Sequence, residues 1–189
     1  YDGETLQSAA FNTAVSPGLA KIIAGEAPND ALNLLLRKVP ITIQEISLLR
    51  SYCALLWQAS KISTKRTMWE SLAGAPHVAL QLCRIFDWKF NPALTVSPTE
   101  RLQRASLEES VLTEALRRVP DITQDRVLRA LLALLRASVR TNFYAGGDTL
   151  AIKLRSQEIE FMPHPRPLFE IFVFSSRIEG THLRSARVA

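Results

Sequence analysis

Apolar positions recur at helical spacing along the first three quarters of the chain. Thr42-Ile43-Gln44-Glu45 has the threonine and glutamate of a capping box, in which each side chain satisfies an end group of the other. The run it opens sets Ile46, Leu49, Cys53 and Leu56 on one face, with Leu48, Tyr52 and Leu55 beside them. Pro28-Asn29-Asp30 predicts a helix start ahead of Leu32, Leu34, Leu35 and Leu36, because proline suits a first turn and Asn29 or Asp30 can accept the free amide hydrogens. Gly74-Ala75-Pro76 predicts a stop and a new start. The glycine would take a left-handed cap, and the proline would open a helix carrying Leu80, Cys83 and Phe86 that ends near Asn91-Pro92. Ser97-Pro98-Thr99-Glu100 and Asp121-Ile122-Thr123-Gln124 supply two further caps. After the second, Leu128, Leu131, Leu132, Leu135 and Val139 hold helix period over three turns.

From Thr141 the leucine stripe stops. Gly146-Gly147-Asp148 supplies a turn, and Leu150, Ile152 and Leu154 then alternate with Ala151, Lys153 and Arg155 at strand period. No helix can run through Pro163-His164-Pro165-Arg166-Pro167. Phe169-Glu170-Ile171-Phe172-Val173-Phe174 is dense in strand-forming types, Ser175 to Gly180 would turn the chain, and Thr181 to Val188 would return it. The fold class is therefore mainly α: a helical bundle over 1–140, followed by a short β-rich segment over 141–189 that begins an α/β domain. An isolated hairpin is marginal in water, so the tail is expected to be the edge of a sheet whose other strands lie past Ala189.

Composition narrows the function classes. With 47% apolar and 22% charged residues, enough apolar surface exists to offset chain entropy, which excludes disorder over most of the length. No window of about 18 uninterrupted apolar residues occurs, which excludes a transmembrane helix and a membrane partner of that kind. No charged-then-apolar signal segment opens the chain. Two cysteines are too few for a disulfide framework and favour a reducing, cytoplasmic compartment. The net charge of +5 is mostly arginine interleaved with acids, as in Arg117, Arg118, Asp121, Asp125, Arg126 and Arg129, so no nucleic-acid partner is expected. The chain starts at Tyr1 without an initiator methionine and stops at Ala189 in a stretch with no terminating turn, as a piece of something longer would.

Candidate chemistry is sparse. His77, His164 and His182 stand at no metal-ligand spacing, and surface or capping roles suit them better. Cys53 and Cys83 fall on apolar helix faces and read as buried hydrophobes rather than reactive thiols. Gly146-Gly147 has neither the dinucleotide nor the phosphate-loop spacing, and it precedes a strand where those motifs follow one. Glu108, Glu109 and Glu114 read as a salt-bridged helix surface. In Arg177, Glu179, His182, Arg184 and Arg187, Arg184 or Arg187 could meet an acidic substrate or a neighbouring subunit, against plain pairing with Glu170 and Glu179. No catalytic, cofactor-binding or metal-binding residue is assigned.

Several stretches resemble a known family. Asp121-Ile122-Thr123-Gln124-Asp125-Arg126-Val127-Leu128-Arg129, running on to Arg140-Thr141-Asn142-Phe143-Tyr144, is similar to a D-R-(I/V)-L-R … R-T-N-(Y/F) signature. The stretch from Pro163 to Phe174, continuing through Arg177-Ile178-Glu179-Gly180-Thr181-His182-Leu183-Arg184, resembles P-x-P-R-P-x-F-E-I-F-V-(Y/F)-S-x-R-(I/V)-E-G-x-H-L-R. Asp30 to Leu35, Leu49-Arg50-Ser51-Tyr52 and Leu82 to Pro92 fit shorter elements of the same kind. All belong to the large bacterial NAD-specific glutamate dehydrogenases, and the resemblance spans about Asp30 to Ala189. Ser51 stands where alanine is usual, and Ser185-Ala186-Arg187 replaces an F-G-K-like run.

The resemblance implies a parent enzyme that converts L-glutamate, NAD and water to 2-oxoglutarate, ammonia and NADH, as a homo-oligomer. The catalytic lysine, the substrate glycines and the NAD turn would lie outside this chain, which alone would be inactive. Its role would be to link regulatory and catalytic regions or to pack subunits. The alternative reading is a helical module that binds protein or nucleic acid without enzymatic role.

Overall fold

The computed structural model describes residues 17–175 and 177–184. Residues 17–23 are helical, and a 3-10 turn, Ala31–Leu34, runs straight into the four-residue helix Leu35–Lys38. Five longer helices follow: α1 (Ile43–Ala59), α2 (Lys65–Gly74), α3 (Pro76–Phe90), α4 (Pro98–Leu116) and α5 (Ile122–Ala137). Strands β1 (Ser138–Thr141), β2 (Leu150–Leu154), β3 (Phe169–Phe174) and β4 (Glu179–Arg184) form one antiparallel meander in sequence order.

The caps stand where the local sequence puts them. Thr42 Oγ1 accepts from Glu45 N–H at 3.2 Å while Glu45 Oε2 accepts from Thr42 N–H at 2.7 Å, so the box closes in both directions. Ser97 and Asp121 accept from the amides of Glu100 and Gln124 at 3.1 and 2.6 Å. Thr64 caps α2 in the same way, through Thr67 N–H at 3.1 Å. Pro76 and Pro98 occupy the first turns of α3 and α4, where the missing N–H costs nothing.

Three local expectations change. The helix expected after Asp30 begins as a 3-10 turn, because Asp30 accepts from Leu32 N–H at 3.0 Å and draws the first turn tight. Gly74 is the last residue of α2 and takes no left-handed cap. What calls for glycine there is space: a Cβ would stand 2.9 Å from Gln124 Nε2, which donates to Ser71 O. Val139 keeps the spacing of the α5 stripe but lies in β1. Ser138 ends the helix by donating its hydroxyl to Leu134 O at 2.8 Å, and a bulge between Ser138 and Arg140 bends the new strand towards β2.

Helix α1 is the centre of the bundle, buried without interruption from Leu48 to Leu56 and packed against α2, α3 and α5. Helices α3 and α4 lie along each other, and Arg101 closes their connection by donating to the carbonyls of Trp88, Asn91 and Leu94. The same apolar core runs on into the sheet through Ile152, Leu154 and Phe172, and through Ile159 and Met162 of the connection before β3. The β-rich tail therefore shares the helices' core rather than forming one of its own. The returning strand is described from Glu179 to Arg184; its expected continuation to Val188 and the 1–16 part of the predicted bundle lie outside the described residues.

Candidate functional site

Polar side chains concentrate at the joint where helices meet sheet. Tyr52 O–H lies 2.8 Å from Ser138 Oγ; because Ser138 spends its own proton on Leu134 O, the tyrosine donates. Burial pushes the Tyr52 phenol well above its ordinary range, so it stays a donor. Lys89, at the end of α3, donates to Leu135 O at 2.8 Å and Arg136 O at 2.9 Å, closing the C-terminus of α5. Burial pulls its ammonium down to about 8, against the nearby Glu109 and Glu158 charges. Tyr144 O–H donates to Asp87 Oδ1 at 2.7 Å, and Asp87 also accepts from Asn91. Burial, then the bond to Asp87, raises the Tyr144 phenol. Phe86 gathers Tyr52, Phe90, Phe143 and Tyr144 around it with ring centroids 4.9–6.3 Å away.

Asn142 clamps the β1–β2 connection by donating to Thr149 O at 2.9 Å and accepting from Ala151 N–H at 2.7 Å. The loop it closes turns through Gly146 and Gly147 at φ +77 and +102. At the far edge of the sheet, on its helix-facing side, Lys65 of α2 pairs with Glu179 at 2.7 Å and stands over the Trp57 ring at 4.6 Å. Deeper in the helices, Arg50 and Asp30 form a buried ion pair at 2.7 Å, with side-chain exposures of 5% and 8%. Ser51 buries its hydroxyl at no loss, donating it to Leu48 O at 2.7 Å within the same helix.

An open cleft of about 270 Å³ lies between the start of α1, the 21–28 segment and the Gly146–Gly147 turn. Its buried cation, Arg50, is already engaged by Asp30 and Asn33. The Gly146–Gly147 turn joins antiparallel strands through a 3-10 turn, with no helix N-terminus following to receive a pyrophosphate, so these residues do not fit NAD.

The candidates named from the sequence disperse. His77, His164 and His182 are exposed and separate. Cys53 and Cys83 are core residues whose thiols burial pushes up. Glu109 pairs with Arg136 at 2.8 Å, Glu114 with Arg117 at 2.7 Å, and Glu108 accepts from Gln81. The Arg177–Arg184 cluster does not assemble: Glu179 turns to Lys65, His182 and Arg184 lie on the opposite face of β4, and among the described residues Arg184 pairs with neither Glu170 nor Glu179. Arg187 lies outside the described residues. Composition and spacing did not single out the joint, since its partners stand 46–114 residues apart. Apart from Lys65, its residues fall in the stretches that carry the family resemblance.

Comparison with known proteins gives the class first: the chain is similar to parts of amino-acid dehydrogenases. Residues 111–189 match the model described as bacterial NAD-glutamate dehydrogenase, catalytic domain, and residues 27–92 match glutamate dehydrogenase, helical motif 3. NAD-specific glutamate dehydrogenases of Halomonas elongata and Pseudomonas aeruginosa are each 34% identical, over 89% and 95% of this chain. That of Mycobacterium tuberculosis is 34% identical over 87%. The chain belongs to the bacterial NAD-specific glutamate dehydrogenase family. It spans 10–11% of the length of these relatives.

Proposed function

We propose that this chain is a non-catalytic section of an NAD-dependent glutamate dehydrogenase, in which a helical region of about 1–140 passes rigidly into the first strands of the substrate domain. The whole enzyme would oxidise L-glutamate to 2-oxoglutarate and ammonia while reducing NAD, with the reacting groups and the NAD fold on other parts of the polypeptide. The observation that supports a linking role is the joint itself: Lys89, Tyr144, Tyr52 and Lys65 each tie a helix to the sheet or to the helix end that feeds it. Such a joint moves helices and strands as one body and can carry the position of a regulatory region to a catalytic one.

Purifying the long native polypeptide alongside this chain, and following NADH formation with L-glutamate, tests the reading. Activity in the long protein and none in the chain is expected; no activity in either, with NAD bound, would remove it. In the active long enzyme, Lys89→Met with Tyr144→Phe should lower kcat or blunt an effector response. Unchanged kinetics in that variant would leave the joint a stabilising feature only.

A further inference from the structure

The strand β3 is apolar on both faces. Phe172 and Phe174 join the core shared with the helices, whereas Phe169, Ile171 and Val173 alternate with them and are half-buried without belonging to that core. A strand in a sheet covered on one side alternates apolar and polar; β3, apolar at every position but Glu170, reads as covered on both. The pairing register shows what surrounds this second apolar strip. Arg140, Lys153, Ile171 and His182 line up across the four strands, and Arg184 stands opposite Phe169. Lys153 Nζ sits 4.0 Å over the Phe169 ring. Glu170 and Glu179, the acids of β3 and β4, fall on the other face by the same alternation. Among the described residues no carboxylate pairs with Arg140, Lys153 or Arg184.

We propose that this outer face of the sheet is a docking surface for an acidic amphipathic segment of the same longer polypeptide. Apolar residues of that segment cover Phe169, Ile171 and Val173, and its Asp or Glu side chains pair with Arg140, Lys153 and Arg184. The inference rests on the reading of the chain as part of a long dehydrogenase. The occupant follows from two observations: the face offers cations and no acid, which selects a carboxylate-bearing partner, and this chain spans only 10–11% of its relatives, leaving ample polypeptide to supply the cover.

Ile171→Cys provides a reporter, since Cys53 and Cys83 are buried. Alkylation at position 171 by iodoacetamide is followed by peptide mass spectrometry in this chain and in the long polypeptide, with circular dichroism to check folding. In the long polypeptide the rate should fall at least about tenfold, and adding Arg140→Glu with Lys153→Glu should restore most of it. Equal rates in the two proteins overturn the proposal. Protection that survives the charge reversals overturns the acidic occupant. Protection that appears only with rising protein concentration assigns the face to a second copy, and protection lost on nuclease treatment assigns it to nucleic acid; either overturns the proposal. NADH formation by the same long polypeptide separates the two ideas: activity with a reactive position 171 removes the docking surface alone, and no activity removes the reading beneath it.

Discussion

At the scale of single residues, a buried ion pair and a half-buried lone carboxyl carry opposite consequences. Arg50 and Asp30 sit in one buried pair, and Asp30 also caps the Ala31–Leu34 turn. Arg50→Met strands the carboxylate in the core and should cost about 3–5 kcal/mol, while the double variant with Asp30→Asn should cost clearly less than the sum of the singles. Urea denaturation of all four members of that cycle measures the coupling, and strict additivity would deny the pair its role. Glu170 has no pairing partner among the described residues and stands across from Leu154 and Leu183; burial raises its carboxyl above the ordinary range. Its folded pKa exceeds its unfolded one, so the native state binds more protons in the window between them. Stability at this site is greatest below that window and falls as pH rises through it. Glu170→Gln should therefore raise the urea midpoint at neutral pH and leave little difference near about pH 4, where the carboxyl is largely protonated in both states. The sequence showed Asp30, Arg50 and Glu170 as charges, but nothing local showed which would find a partner.

At the scale of elements, the helix starts were the most legible feature, because each depends on a bond three residues long. Thr42 with Glu45, Ser97 with Glu100 and Asp121 with Gln124 are complete within one turn. Strand β1 was hidden for the opposite reason. Val139 continues the leucine spacing of α5, and only pairing with β2 and the Ser138 hydroxyl, both decided elsewhere in the chain, turn it into a strand. Gly74 misled in the same way, since its requirement comes from Gln124 on another helix. The β1–β2 connection depends on Asn142, which bonds both sides of its loop. Asn142→Ala should cost about 1–3 kcal/mol through two lost side-chain-to-backbone bonds, and Asn142→Asp, which keeps the acceptor, should cost less. Thermal melts of the two variants decide it; equal losses would mean the bond accepted from Ala151 N–H carries nothing.

At the scale of the whole molecule, mainly helical architecture with a β-rich end was readable from period alone, and the family from its motifs. The joint was not, because Lys89, Asp87 and Tyr52 meet partners that only the folded chain brings near. The sequence suggested a tail forming the edge of a sheet with further strands past Ala189; among the described residues Ile152, Leu154 and Phe172 share the helices' core. One continuous core predicts one cooperative unit. Amides of Ile152 and Phe172 should exchange with the same opening free energy as those of α1, and a cheaper, separate opening of the sheet would contradict it. The passage from Ala137 to Ser138 without an intervening loop adds a constraint of phase. A helix advances about 100° per residue and a strand alternates by half a turn, so one residue inserted there would turn β1 over and send Ser138 to solvent and Arg140 to the core. A change in length between α3 and α4 would be absorbed by their loop, but at this seam the fold has no slack: the helix sets the clock by which the sheet is written.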